Sequence, residues 1–471
     1  MTDNLADLTA VDLIARYQQG ILSPVEVIEA VLTRVDALEP KLLATYALDP
    51  EAARSAARES EYRWRHNEAG PLDGVPVTIK ENIATRGTPV PQGTAATELI
   101  PASEDHPAAA RLRKAGAVIF SKTTMPEYGM LSSGVSTFHP LSRNPWNLAL
   151  TPGGSSAGAA AAAAAGYGPI HVGTDIGGSI RLPAGWCGVI GLKPTHGRIA
   201  VGIPYPGRVV GPLTRTPADA ALALAVMTGP DRRDQTSLPD VWGNRESAPL
   251  ALWGNTESAP LALKNLKIAL LLDGGPGLPV DPEVSAAVSN AAALLEKGGA
   301  TIVPIPPILT REMLDGLDHF WRVRTANDLR ALPEDRRNKV LPEIREWVSN
   351  AADYSPFEVL HGYSQIQVIA TAVDAAFADY DFIISPVAPI IAFPADLAYP
   401  SRDPNKPFEH IAFTLPYNMS THPAVSVNCG YSSTGLPIGL QVAAPRFNDE
   451  AALALAATLT ELLPTRPWPT P

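Results

Sequence analysis

Two cysteines, Cys187 and Cys429, are all that the 471 residues hold. That is too few for a disulfide framework, and a reducing, cytoplasmic setting is expected. Cys187 sits among apolar neighbours and reads as a buried structural thiol rather than a nucleophile. Charge is also scarce, at 18% of residues, and its balance is acidic: 37 Lys and Arg against 48 Asp and Glu, a net charge of −11. A nucleic-acid partner would need a basic footprint, which this chain lacks, so none is expected. Long apolar runs are missing too. Ala157–Ala165 is the longest weakly polar stretch, well short of the roughly 20 residues that span a bilayer. The first twenty residues are acidic and amphipathic, without the basic-then-apolar order of a secretory leader, and no membrane partner is expected. Neither an H-E-x-x-H pattern nor a Cys/His cluster occurs, so no metal and no cofactor are implied.

What is present is globular: 45% of residues are hydrophobic. The first 70 residues read as helices. A stripe from Leu8 to Tyr17 stops at Gly20. Ser23-Pro24-Val25-Glu26 is a capping box opening a helix that should end at Pro40, and Pro50–Arg65 is a third helix. From Gly74 the pattern alternates. An apolar strand delivers Lys80, Pro107–Ala115 is a helix, Ala117–Phe120 a strand, the alanine run a helix ending at Gly166, and Ile170–Val172 a central strand. This alternation predicts an α/β fold in one large domain, a mixed sheet sandwiched between helices. Residues 207–239 read as loop, helix over Pro217–Thr228, loop. Between 230 and 265 lies an eleven-residue tandem duplication beginning at Trp242 and Trp253, read as a bland surface insertion. A strand at Leu266–Leu272, a helix at Asp281–Gly298, a helical region over 300–380, a strand at Phe382–Ser385, a hairpin around Ser432–Gly435 and a last helix from Asn448 complete the chain.

Thr151–Arg181 carries the chemistry-bearing pattern. Two glycine-serine turns, Gly153-Gly154-Ser155-Ser156 and Gly177-Gly178-Ser179, flank the alanine run. Paired glycines before a serine suit a sharp turn whose amides converge on one point, here a nest of Ile176, Gly177, Gly178 and Ser179 N–H groups able to hold an oxyanion. A serine nucleophile needs a base. None of the nine histidines sits in a recognisable catalytic setting. Lys80, at the end of an apolar strand, is neutral if buried and could then serve, although position alone equally allows a lysine reaching solvent. Asp175 and Arg181 read as a structural pair fixing the second turn.

These motifs, Gly74–Lys80 with Glu81-Asn82, Pro152-GGSSAG, Gly173-TDIGGSIR and Cys187-GVIGLKPTHGR, resemble the amidase signature family closely over residues 73–216. The resemblance continues more loosely at Ser23–Val27 and in the C-terminal segments LPYN, PAVSV and GLPIGLQV. It implies the family fold across 1–471, with the signature core in 71–220, and a serine–cis-serine–lysine triad. Ser179 resembles the nucleophile, Ser155 the bridging serine on a cis peptide, and Lys80 the base. Ile176, Gly177 and Gly178 resemble the oxyanion hole, and Ser156 and Thr174 supports for Lys80 and the loop. The implied activity is hydrolysis of a small-molecule amide, and of esters or carbamates that offer the same carbonyl, by a monomer or homodimer.

Two other readings exist. Gly154-Ser155-Ser156-Ala157-Gly158 matches the G-x-S-x-G elbow, making Ser156 a nucleophile, but no strong strand precedes it. A glutaminase-type subunit of an amidotransferase shares the triad, yet typically carries Asp-Thr-Gly-Gly-Ser where this chain has Asp175-Ile176-Gly-Gly-Ser. Tyr128, Gly129, Met130, Ile203–Val209 and the helical 310–379 segment, with Phe320, Trp321 and Tyr363, are candidate pocket walls. The aromatic ones fit a core equally well.

Overall fold

The computed structural model describes residues 4–239, 261–401 and 403–471, and among these one sheet of eleven strands runs through the molecule. The strands are β1 Thr45–Tyr46, β2 Pro76–Lys80, β3 Val118–Thr123, β4 Ile170–Asp175, β5 Ile190–Lys193, β6 Val209–Thr214, β7 Lys267–Leu270, β8 Thr301–Pro304, β9 Phe382–Pro386, β10 Ala424–Tyr431 and β11 Pro437–Ala443. Their order is β1-β3-β2-β4-β6-β5-β10-β11-β9-β7-β8. β2 pairs in parallel with β3 and β4, and β7 with β8 and β9. Antiparallel pairing joins these flanks through β6, β5, β10 and β11. The expected mixed α/β sheet with helices packed on it is therefore observed. The tandem duplication falls almost wholly outside the described residues. Among those described, no helix is long and apolar enough to cross a membrane.

Local chemistry explains the elements. Ser23 and Glu26 close a capping box on the Pro24–Leu42 helix. That helix outruns the expected stop at Pro40: the proline sits in its last turn, where it removes one amide without halting the chain, and Leu43 ends the helix in a left-handed conformation. β6 was unforeseen because Gly211 and Pro212 interrupt it. The glycine is required there, since a Cβ at Gly211 would lie 2.1 Å from Leu192 O of the neighbouring strand β5. β5, β8 and the Arg181–Cys187 helix were likewise too short or too glycine- and proline-flanked to read.

The alanine helix Ala157–Ala165 is buried along its whole length and ends at Gly166, as expected. Alanine is the best helix former and adds no bulk, so both faces pack closely. One face meets Val118 and Phe120, and the other meets Ile180, Ala184, Cys187 and Leu213. The helix therefore carries its preceding turn, with Ser155 and Ser156, against the far ends of β2 and β4. In register, Ile79 lies beside Val172, which brings Lys80 next to the Gly173-Thr174-Asp175 exit of β4.

Candidate active site

β2 is buried at all five positions, and its last residue, Lys80, has no solvent exposure. A buried ammonium is costly unless partnered or neutral. Lys80 Nζ meets three hydroxyls: Ser155 Oγ at 2.7 Å, Thr174 Oγ1 at 2.9 Å and Ser156 Oγ at 3.1 Å. Asn82 Nδ2 also donates to Thr174 Oγ1, at 3.3 Å. None of these partners is charged. Burial pushes the Lys80 amine down to about 7; Asp175 and Glu81 pull it back up, while the nearby Arg208 adds to the lowering. The open question of a lysine reaching solvent is answered: the side chain points inward.

The Gly154–Ser155 peptide is cis. Ser156 N–H donates to Ser179 O at 3.1 Å, which ties the two glycine-serine turns together. Ser179 Oγ has no hydrogen-bond partner among the described residues, and it opens onto the two cavities described below.

Asp175 organises the second turn. Burial tends to raise its carboxyl, but the Arg181 guanidinium, Asn418 and the Ile180 amide overcome that and hold it far below the usual carboxylate range. Arg181 Nε and Nη2 each reach Asp175 at 3.0 Å. The rest of the guanidinium donates to Thr414 O, Gln441 Oε1 and Asn418 Oδ1. Both partners are fully buried, and every donor is used, the condition under which a buried ion pair holds a structure together. The expected structural pair is present.

One oxyanion donor needs correction. Gly178 N–H donates to Asp175 Oδ1 at 2.8 Å and is not free. Gly178 serves the turn through its conformation instead: φ is +126°, and a Cβ would meet Thr414 Oγ1 at 2.5 Å. The amides of Ile176, Gly177 and Ser179 have no acceptor among the described residues.

Ser179, Ile176 and Gly129 are shared by two cavities. One, of about 70 Å³, is mainly apolar, walled by Met130, Leu131, Leu182, Trp321, Phe408 and Ile411, with Tyr205 and Arg324 also in its lining. The other, of about 200 Å³, is polar and includes Tyr128, Ser155, Thr174, Asn82, Gln92 and Arg208. Tyr128, Gly129, Met130 and Trp321 thus each line one or both of these cavities. Phe320 and Tyr363 do not, since they pack on each other edge to face at 5.1 Å. The sequence did not point to Arg208, Phe408, Ile411, Asn418 or Gln441 as individuals. Asn418 and Gln441 do fall inside the LPYN and GLQV segments already singled out. His171, by contrast, is closed off by Thr78 and Gly168 O, and burial pushes its imidazole down to about 3. Cys187 is buried, its thiol donating to Pro152 O.

A protein-family model described as Amidase matches residues 26–453. The chain is 33% identical, over 93% of both chains, to the Glutamyl-tRNA(Gln) amidotransferase A-type subunit of Synechococcus sp. strain CC9605, and 34% identical to its counterpart in Chloroflexus aggregans, over 92% of both chains. Among solved structures it resembles a bacterial aryl acylamidase of the amidase signature enzymes, with a TM-score of 0.87, 26% identity and coverage of 98% of this chain and 96% of that one. It also resembles the peptide amidase of Stenotrophomonas maltophilia, with a TM-score of 0.81, 25% identity and 99% coverage of both.

Proposed function

This chain belongs to the amidase signature family of amide-hydrolysing enzymes, and from that premise we propose that it cleaves small-molecule carboxamides through Ser179, Ser155 and Lys80. Ser179 Oγ attacks the carbonyl carbon. Its proton passes to Ser155 Oγ as the Ser155 proton passes to Lys80 Nζ, while the Ile176, Gly177 and Ser179 amides hold the developing oxyanion. The proton returns through Ser155 to the leaving nitrogen, the C–N bond breaks, and an ester to Ser179 remains. Water then attacks that ester by the same relay, releasing the acid and restoring Ser179. Aryl esters and carbamates offer the same carbonyl, so urethane cleavage is included in the reading.

The supporting observation is the 2.7 Å contact of Lys80 Nζ with Ser155 Oγ, made by an amine that burial holds at about 7. A base with its pKa near working pH is effective for proton transfer. Ser156, the nucleophile of the elbow reading, lies fully buried with its hydroxyl between Lys80 and Thr174. Labelling with a serine-directed phosphonate and mapping the adduct tests the assignment. Modification is expected at Ser179, and an adduct on Ser156 would overturn the proposal. A panel of anilides, carbamates and short aliphatic amides then ranks the substrates.

The identity to the amidotransferase subunits favours a second reading, a glutaminase-type subunit. The purified single chain separates the two: turnover of simple amides without a partner excludes a strict need for one, and glutamine hydrolysis only in a complex would favour the subunit.

A further inference from the structure

Resting on the amidase reading, we infer that Arg208 selects amides whose leaving amine carries a carboxylate and whose acyl group is apolar. The relay fixes the direction. Ser155 lines the polar cavity and not the apolar one, and it is Ser155 that hands the proton to the departing nitrogen. The amine therefore leaves on the polar side, and the acyl group lies against Leu182, Trp321 and Phe408.

Arg208 lines that polar cavity without a carboxylate or carbonyl partner among the described residues; its guanidinium carbon lies 5.3 Å from the ring of Tyr205, a residue of the apolar cavity. Arg324, which lines the apolar cavity, approaches the same ring at 4.7 Å, so two like charges converge on one aromatic from opposite cavities, and Arg208 is the cation on the polar side. Arg324 has a carboxylate, Asp328, only at 3.9 Å. Nearby acids cannot neutralise Arg208. Asp175 is taken by Arg181, Asn418 and the Gly178 amide. Glu81 is taken by the Gln92 and Gly93 amides and by His139. Among the described residues no acidic one lines the polar cavity, and His106, which does, is pushed by burial down to about 4, so it is neutral. Burial and then Arg324 hold the Arg208 guanidinium below its ordinary value, as for a cation short of a counterion. A planar fork of donors facing an enclosed cavity fits a carboxylate on the substrate.

The test uses the purified full chain with two phenylacetyl amides, of 4-aminobenzoate and of 4-aminobenzamide, and with succinyl anilide, which carries its carboxylate on the acyl side. The carboxamide is the better leaving aniline, so intrinsic reactivity runs against the expected preference. We expect kcat/KM to favour the aminobenzoate by roughly tenfold or more, to lose most of that ratio in Arg208→Gln, and to keep part of it in Arg208→Lys. The wild-type ratio, weakened by added salt, decides the matter even where a variant does not fold. A ratio at or below one, a ratio unchanged in Arg208→Gln, or a preference for the succinyl compound overturns the inference. Equal hydrolysis of both phenylacetyl amides removes the arginine role alone, whereas hydrolysis of none of the three removes the amidase reading with it.

Discussion

The two cavities that meet at Ser179 are built from different parts of the fold. The polar one draws the groups of the proposed relay from the sheet and its first connections: Lys80 behind it ends β2, Thr174 lies in β4, and Ser155 sits on the turn fixed by a wholly buried helix. The apolar one takes Trp321 from the Arg311–Arg330 helix, and Phe408 and Ile411 from the irregular segment before β10. Strand ends beneath a packed core hold groups to a few tenths of an ångström, which proton transfer demands. Walls carried by a peripheral helix and a loop can vary without disturbing the relay. On the proposed mechanism, reaction type and substrate choice therefore fall to separate layers of one site.

The division predicts its largest effect at Lys80. In Lys80→Ala the three hydroxyls lose their common partner while the apolar wall is untouched. Turnover should fall by roughly 10⁴-fold, with a far smaller change in KM. Steady-state hydrolysis of an anilide reads both, and a loss below about tenfold would break the comparison outright. Next comes the clamp beneath the oxyanion turn. Arg181→Met leaves Asp175 as an unpaired buried carboxylate and strips donors from Asn418 Oδ1, Gln441 Oε1 and Thr414 O. Losing one member of a buried pair costs about 3–5 kcal/mol. Urea unfolding measures it, and a loss under about 1 kcal/mol would show that the turn is held by packing alone.

How the sequence and the structure relate follows the same division. The sheet-borne groups of the proposed relay stand out in the sequence because each sits in a local pattern: an apolar strand ending in lysine, glycine pairs before serines, and an alanine run with a glycine stop. The proposed oxyanion donors could be named from the sequence only as a group. That Gly178 would spend its amide on Asp175 depends on how Asp175 is turned by Arg181 and by Asn418, 243 residues away. Short central strands were lost where glycine and proline, ordinarily turn residues, are tolerated because a neighbour presses close, as at Gly211. The apolar wall was half legible. Trp321 and Phe320 are adjacent in one helix, and their spacing gives no ground for sending one to the cavity and the other to Tyr363. That choice is made by which helix packs alongside. Arg208 was legible only as one position of the Ile203–Val209 stretch read as a pocket wall; nothing in that stretch singled out its guanidinium, since an arginine in a loop is ordinarily solvated.

Trp321→Ala should sharpen the apolar side of the comparison. Removing the indole opens the acyl wall without touching Ser155, Thr174 or Lys80. The kcat/KM for a phenylacetyl anilide should drop by roughly 10- to 100-fold relative to acetanilide, in keeping with about 1–3 kcal/mol for apolar contacts in a pocket. The acetyl compound, too small to reach the wall, should change least. Equal losses on both substrates would mean that the indole supports the reacting turn rather than the acyl group.

The smallest effect, and the one that joins the two layers, is in the pH profile. In the proposed relay Lys80 acts as a base only when neutral, and burial, which disfavours the charged form, lowers its amine to about 7. Activity should therefore rise with pH through that region and level off on the alkaline side, where the neutral amine is complete. Falling pH protonates Lys80, so the acid limb is the one lost. Arg208 contributes to the lowering through like-charge repulsion. Taking that charge away in Arg208→Gln should move the limb to higher pH, even for a neutral substrate that makes no use of the arginine. Removing a carboxylate neighbour does the reverse: Glu81→Gln takes away a charge that raises the amine, so the limb should move to lower pH. Opposite displacements in the two variants, read from kcat/KM across pH 5.5–9, would identify Lys80 as the titrating group. Displacement in the same direction would assign the limb to another residue. The cation of the polar cavity would then tune the base as well as face the leaving amine, which makes that wall part of both layers at one position.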